Sequence, residues 1–111
     1  MHRRHLLAAA LAAPAIFRTH AARATQPVDV ELVLAVDVSR SVDAEEQEMQ
    51  FKGYAAAFRD RRLIEAMTRG PVGCIACTFF TWSDWNIQEH LVPWMRLDSL
   101  AAAERFASAI D

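Results

Sequence analysis

The sequence predicts an α/β domain with the element order β-α-β-β-α. Two apolar runs, residues 28–38 and 72–82, have the length and composition of buried strands. Between them lies an amphipathic stretch that begins with a helix-capping pattern. Strand, helix and strand in this order form a crossover unit, whose strands pair in parallel with a right-handed connection in nearly all known cases.

The first half of this unit consists of a strand and two helices. The strand is predicted over Val28–Val38 and is apolar on both faces, so we expect both faces to be buried. A helix is predicted over Ala44–Phe58, because Asp43 and Glu46 have the spacing of a capping box. A second, short helix is predicted around Ile64, before a Gly-Pro pair stops it.

The second half begins with a strand predicted over Val72–Trp82, which is also expected to be buried on both faces. A short turn then leads into a strand over Ile87–Trp94. Pro93 cannot donate a hydrogen bond to a ladder, so this strand is predicted to lie at an edge, in an antiparallel hairpin. The Asp98-Ser99 pair can cap a last helix that continues to the final residue.

Residues 1–24 have the pattern of a secretory signal peptide. Arg3 and Arg4 precede the apolar run Leu6–Phe17, which is shorter than the roughly 20 residues of a membrane span, and small residues at the end supply a cleavage pattern. Both the general secretory route and the twin-arginine route stay open. We therefore expect a periplasmic or secreted protein with one domain over residues 25–111.

The charge of the chain depends on whether this segment is removed. Removing residues 1–24 takes away four arginines and no acidic residue, so the formal charge changes from −2 to −6. An acidic surface repels nucleic-acid phosphates and anionic lipids. We therefore expect neither nucleic-acid binding nor peripheral membrane binding, and the favoured ligands are cations and basic partners. Removal of the apolar segment also leaves no stable membrane insertion expected.

Asp37, Ser39 and Ser41 lie where the first strand ends and before the first helix begins. This end of an open α/β sheet is where ligands usually bind. A carboxylate and two hydroxyls at alternate positions can direct their oxygens to one point, and hard oxygen ligands suit Mg²⁺. The loop is therefore a candidate divalent-metal site.

The motif Asp37-Val38-Ser39-Arg40-Ser41, between an apolar strand and a capped helix, resembles the metal-ion-dependent adhesion site of von Willebrand factor type A domains. Within that superfamily, Phe51-Lys52-Gly53-Tyr54, Thr81-Trp82-Ser83 and Val92-Pro93-Trp94 resemble a bacterial exported family, domain-of-unknown-function family 1194. The resemblance covers essentially all of residues 28–111. It implies a doubly wound, Rossmann-like sheet, of which this chain is the N-terminal part only.

The same resemblance implies roles for the three loop residues. Ser39 and Ser41 would bind Mg²⁺ or Mn²⁺ directly, Asp37 would hold the ion, often through water, and an open coordination position would accept a carboxylate from a partner protein. In the family, a threonine and an aspartate from later loops complete the site, and neither is expected in a truncated chain. We therefore expect a protein-binding module that is not an enzyme, with weak metal affinity and poor solubility. The absent strands would leave the paired face and the backbone edge of the first strand exposed.

Three other interpretations of the loop stay open. Asp37 and the two serines can form a polar turn that caps the helix. Asp37 can alternatively be the nucleophile of a magnesium-dependent aspartyl phosphotransferase or phosphatase, although haloacid dehalogenase-type enzymes place a second aspartate where Ser39 stands. Finally, the chain can be a truncated remnant without function.

The remaining chemically active side chains are expected to have structural roles. Cys74 and Cys77 are three residues apart and point to opposite faces of a strand, which favours buried thiols over a disulfide or redox pair. His90 is expected at the surface, and one histidine does not complete a zinc site. Asp84 is expected in a turn near the metal loop. Large aromatic residues are expected to pack in the core and the hairpin: Trp82, Trp85 and Trp94.

Overall fold

The computed structural model describes residues 25–84 and 87–111 and has the predicted α/β character. Its elements are β1 (Val30–Asp37), α1 (Ala44–Arg59), α2 (Arg61–Met67), β2 (Ile75–Asp84), β3 (Ile87–Leu97) and α3 (Leu100–Ile110). The predicted signal peptide and Trp85 lie outside the described residues. In the part of the chain that is described, none of the helices has the length and apolar character needed to span a membrane.

The three strands form one mixed sheet in the order β1-β2-β3. β1 and β2 pair in parallel, from Val30 beside Ile75 to Asp37 beside Trp82, which confirms the predicted crossover. β3 pairs with β2 in the antiparallel direction and forms the other edge, as its proline predicted. The carboxyl ends of β1 and β2 therefore lie together at one end of the sheet.

The start of α1 follows from local chemistry. Asp43 Oδ1 accepts the backbone N–H of Glu46 at 2.8 Å, and Glu46 Oε2 accepts the backbone N–H of Asp43 at 3.0 Å. This is the predicted capping box, and it satisfies two backbone donors that a helix start otherwise leaves unpaired. α1 ends one residue later than predicted, at Arg59, where Asp60 leaves helical geometry and caps α2.

The boundaries of β2 and β3 differ from the prediction. β2 begins at Ile75 and not at Val72, because Val72 and Gly73 donate their backbone N–H groups to the carboxylate of Asp29. Gly73 also has a φ of 75°, which strand geometry does not allow. β3 continues past Pro93 to Leu97, with several irregularities in its register against β2.

The hydrophobic core lies between one face of the sheet and the helices. Phe79 of β2 is fully buried and contacts the rings of Phe51 and Tyr54 at centroid distances of 5.8 and 5.6 Å. Phe58 of α1 packs edge-to-face on Phe106 of α3 at 4.7 Å. These contacts join β2, α1 and α3 into one cluster.

The opposite face of the sheet is open, and here two predictions are wrong. Val33 of β1 is 50% exposed, so this strand is not buried on both faces. Trp82 and Trp94 are 38% and 52% exposed and do not pack in the core. The physical reason is that the helices in the described part of the chain pack on the other face, which leaves apolar side chains here in contact with solvent.

Candidate functional site

The candidate site lies at the carboxyl end of β1. Asp37 is the last residue of this strand and is the parallel partner of Trp82. The backbone N–H of Val38 donates to the carbonyl of Trp82 at 2.8 Å, and the Val38 side chain is buried, so the loop is fixed to the sheet where it begins. α1 begins only a few residues later, after Asp43.

Hydrogen bonds fold the loop into two overlapping turns. Asp37 Oδ1 accepts the backbone N–H of Ser39 at 2.8 Å, and the carbonyl of Ser39 accepts the N–H of Val42 at 2.8 Å. The hydroxyl oxygens of Ser39 and Ser41 lie 3.4 Å apart. The structure therefore brings together the three residues that the sequence singled out.

The carboxyl group of Asp37 favours its charged form. The hydroxyl of Ser39, followed by the backbone N–H of the same residue, lowers the pKa of Asp37 below the usual aspartate value. Hydrogen bonds to a carboxylate stabilise the anion relative to the acid. Asp37 is solvent-exposed, so a cation from solution can reach its carboxylate.

The surroundings of the loop are mostly acidic. Asp43, Glu45 and Glu46 lie at the start of α1 and are all exposed, whereas Arg40 supplies a positive charge within the loop. Acidic side chains at a helix start are stabilised by the macrodipole and raise the local concentration of cations. The electrostatics of the loop thus favour a cation over an anion.

The donor set at this loop fits Mg²⁺ or Mn²⁺. In residues 25–84 and 87–111, no group of three His, Cys, Asp or Glu side chains could hold a metal ion. At the loop itself, the groups that could hold a metal are the Asp37 carboxylate and the Ser39 and Ser41 hydroxyls, a hard oxygen set. Neighbouring ligands of octahedral Mg²⁺ lie about 2.9 Å apart, so the two hydroxyls need to approach each other only slightly.

Comparison with known proteins places the chain in a family. The family described as "Protein of unknown function (DUF1194)" matches residues 27–111. The chain belongs to this family. The match begins before β1 and covers every element of the DUF1194 fold described above, including the Asp37 loop. No curated protein and no solved structure gives a significant match to the chain.

The neighbouring end of β2 extends past the end of β1. Asp84 lies two residues beyond Trp82, which is the partner of Asp37. It was predicted to lie in a turn, but it is the last residue of β2. Asp84 is engaged in an interaction of its own. It is exposed and adds another acidic group at this end of the sheet.

The other chemically active side chains have structural contacts. Cys74 and Cys77 are buried free thiols, as predicted, and burial raises the pKa of Cys77 to about 12. His90 is only partly exposed, contrary to the surface position predicted for it. Its ring packs on Phe51 and Phe79 at 5.7 Å, and its Nε2 lies 3.1 Å from the carbonyl of Ala109.

Sequence reasoning missed Asp29, which organises the end of the sheet opposite the loop. Its carboxylate accepts the backbone N–H groups of Val72, Gly73 and Cys74 at 2.9, 2.8 and 3.3 Å. The sequence signal was weak: an aspartate at the second position of one predicted strand and a glycine at the second position of the other. Nothing local showed that these distant segments meet.

Proposed function

We propose that this DUF1194 protein is an exported protein-binding module that uses a divalent metal ion, in the manner of the metal-ion-dependent adhesion site of von Willebrand factor type A domains. Asp37, Ser39 and Ser41 are the proposed ligands of Mg²⁺ or Mn²⁺. When bound, the ion offers an open coordination position to a carboxylate of a partner protein. Export is proposed from the sequence of residues 1–24.

One observation carries this proposal. The carboxylate of Asp37 and two hydroxyls only 3.4 Å apart are presented by one loop at the carboxyl end of a parallel strand, directly before a capped helix. Ligands bind at this end of α/β sheets because the loops there leave backbone and side-chain groups free to converge. The sheet order, with an antiparallel edge strand beside the crossover, is compatible with the N-terminal half of such a domain.

Within this site the chain's own groups have distinct tasks. The Ser39 backbone N–H occupies Oδ1 of Asp37 and fixes the orientation of the carboxylate. The other carboxylate oxygen is then available to the ion or to a bound water, because a carboxylate can accept several hydrogen bonds. The turn that joins Ser39 to Val42 holds the Ser39 and Ser41 hydroxyls on the same side of the loop.

The proposal is tested by titrating the full chain with Mn²⁺ and Mg²⁺ in a calorimeter. Asp37→Asn retains an oxygen that can accept the Ser39 N–H but removes the charge, so we expect binding to weaken roughly tenfold or more. Asp98→Asn is the matched control, because Asp98 is an exposed acid that follows Leu97 at the opposite end of the sheet. Equal affinities in the native chain and Asp37→Asn would reject the metal site.

An assay with p-nitrophenyl phosphate separates this proposal from an aspartyl phosphatase. We expect no metal-dependent turnover, because the position two residues after Asp37 carries a serine and not a second acid. Turnover that is lost in Asp37→Asn would instead favour the enzyme and contradict the binding module.

A further inference from the structure

Arg40 lies between the two serines of the proposed metal site. The carbonyl of Ser39 accepts the backbone N–H of Val42 at 2.8 Å, so Arg40 and Ser41 are the two central residues of a tight turn. Arg40 is exposed at this turn, whereas Ser39 is only partly exposed. The contacts that fix the turn lie within the loop or join it to β2. The position of Arg40 therefore depends on the loop and its own strand pair, and not on elements that pack elsewhere.

In the part of the chain that the structure describes, Arg40 forms no ion pair. The acids nearest to it in the sequence are engaged by backbone groups. Asp37 accepts a backbone N–H of the loop, and Asp43 and Glu46 form the capping box of α1. The guanidinium is therefore in water, with its N–H donors available to an anion from outside the loop.

The charge of Arg40 acts on a metal ion at the loop. Arg40 directly follows Ser39 and directly precedes Ser41, and neighbouring Cα atoms are about 3.8 Å apart. The guanidinium therefore stays within roughly 12 Å of an ion held by both hydroxyls, which is well inside the Debye length of about 30 Å at about 0.01 M salt. Like charges repel at such a distance, so an unpaired Arg40 weakens cation binding by roughly twofold to fourfold.

Arg40 is also the one cationic residue among residues 37–46, which form the loop and the start of α1. The acids of this stretch are all exposed: Asp37, Asp43, Glu45 and Glu46. A partner segment with two acidic side chains can place one carboxylate on the ion and the other on Arg40, because a guanidinium binds a carboxylate through parallel N–H donors. Elsewhere on this stretch the second carboxylate would meet like charge.

We infer that Arg40 selects a partner segment with two neighbouring acidic residues and couples its binding to that of the metal ion. One acid of the segment binds the ion and the other binds Arg40. This role of Arg40 rests on the proposed metal site, and it names the class of partner that the site takes. Pairing relieves the repulsion between Arg40 and the ion, so ion and partner each bind more tightly in the presence of the other, and this coupling is reciprocal.

The first test measures the affinity of the full chain for Mn²⁺ alone, by water-proton relaxation in about 0.01 M salt. Arg40→Gln removes the charge and should bind Mn²⁺ roughly twofold to fourfold more tightly than the native chain. Arg40→Lys keeps the charge and should bind as the native chain does. Arg69→Gln is the matched control and should leave the affinity unchanged, because Arg69 is exposed beyond the end of α2, beside Gly70 at the Asp29 end of the sheet.

The second test adds short peptides with blocked termini to the Mg²⁺-loaded chain, followed by NMR. One peptide carries two aspartates separated by a glycine, and in the other an asparagine replaces the second aspartate. We expect the native chain to prefer the peptide with two acids, and this preference to fall roughly twofold to fivefold in Arg40→Gln. The second aspartate is attracted to the ion in both chains, so the change in preference reports on Arg40. Arg40→Lys should show an intermediate preference, because lysine lacks the planar fork.

The results also separate a failure of this role from a failure of the metal site. If Asp37→Asn binds Mn²⁺ as tightly as the native chain, both are rejected. The role of Arg40 alone is rejected if Asp37→Asn loses Mn²⁺ and Arg40→Gln leaves either the Mn²⁺ affinity or the peptide preference unchanged, or if Arg69→Gln has the same effects. Circular dichroism checks that each variant is folded. If Arg40→Gln does not fold, a native peptide preference in Arg40→Lys rejects the role.

Discussion

The Oδ1 atom of Asp37 accepts the backbone N–H of Ser39 at 2.8 Å, and the nearby Ser39 hydroxyl is the largest cause of the lowered pKa of Asp37. Through these contacts Ser39 both orients the carboxylate and keeps it ionised. The same residue is a proposed metal ligand, so a change at Ser39 affects the site in two measurable ways.

The first prediction concerns the pKa of Asp37. Ser39→Ala removes the hydroxyl, which is the largest cause of the lowered pKa, and leaves the backbone N–H in place. We expect the Asp37 pKa to rise toward its ordinary value without reaching it, as measured by carbon NMR of the side-chain carboxyl during a pH titration. Ser41→Ala is the control and should leave the pKa unchanged. Equal effects of the two variants would contradict the assigned hydrogen bonds.

The second prediction concerns the pH dependence of stability. Backbone N–H groups, that of Val72 first, lower the pKa of Asp29 in the folded chain. A lowered folded-state pKa contributes stability that is complete above the unfolded value of about 4 and is lost as the pH falls through the folded value. We therefore expect Asp29→Asn to lower the free energy of unfolding at neutral pH and to have a smaller effect in acid.

Urea unfolding of the native chain and of Asp29→Asn at a series of pH values measures this difference. The gap between their free energies of unfolding should be constant above about pH 5 and should shrink below about pH 4. A gap that does not change with pH would mean that the Asp29 carboxylate is not held as described.

The third prediction compares two glycines. A Cβ atom at Gly70 would overlap the carboxylate of Asp29, whereas a Cβ atom at Gly53 has nothing within 4 Å. Gly70→Ala should therefore lower the free energy of unfolding by about 1 kcal/mol or more. Gly53→Ala lies inside α1 and should raise it by about 0.5–1 kcal/mol, because alanine favours helix. Denaturant unfolding measures the free energy of unfolding of both variants. If both substitutions change it in the same direction, the environments described for Gly70 and Gly53 are contradicted.

The fourth prediction concerns the thiols. Cys74 and Cys77 are 2% and 0% exposed and are not bonded to each other, and burial raises the pKa of Cys77 to about 12. Because the thiolate is the reactive form, we expect neither cysteine to react with a disulfide reagent at pH 8 in the folded chain. Both should react after unfolding in urea. One reactive thiol in the native state, or none after unfolding, would contradict the description of Cys74 and Cys77 as buried free thiols.

Short sequence patterns correctly predicted the helices and strands that are determined by residues close together in the sequence. The capping box of Asp43 and Glu46 defined the start of α1, and Pro93 identified β3 as an edge strand. The order of the elements then required a parallel pair. The loop containing Asp37 could also be placed at a strand end, because its motif lies between an apolar strand and a capped helix that local patterns predict.

Properties that depend on distant parts of the chain were not predictable. Trp82 was expected in the core, because an apolar strand usually has both faces covered, yet the described helices cover only one. His90 was expected at the surface, but the carbonyl of Ala109 and the rings around it hold it partly buried. Each error arose from a contact, or a missing contact, with a remote element.

The sequence by itself determined the α/β class, the order of strands and helices, and the position of Asp37, Ser39 and Ser41 in one loop, because these follow from periodicity, capping and motif spacing. Only the tertiary structure decided that the Ser39 and Ser41 hydroxyls lie 3.4 Å apart and that the Asp29 carboxylate fixes the entry to β2. These features depend on which distant surfaces meet, and burial and hydrogen bonding across the fold are not encoded in any short stretch of residues.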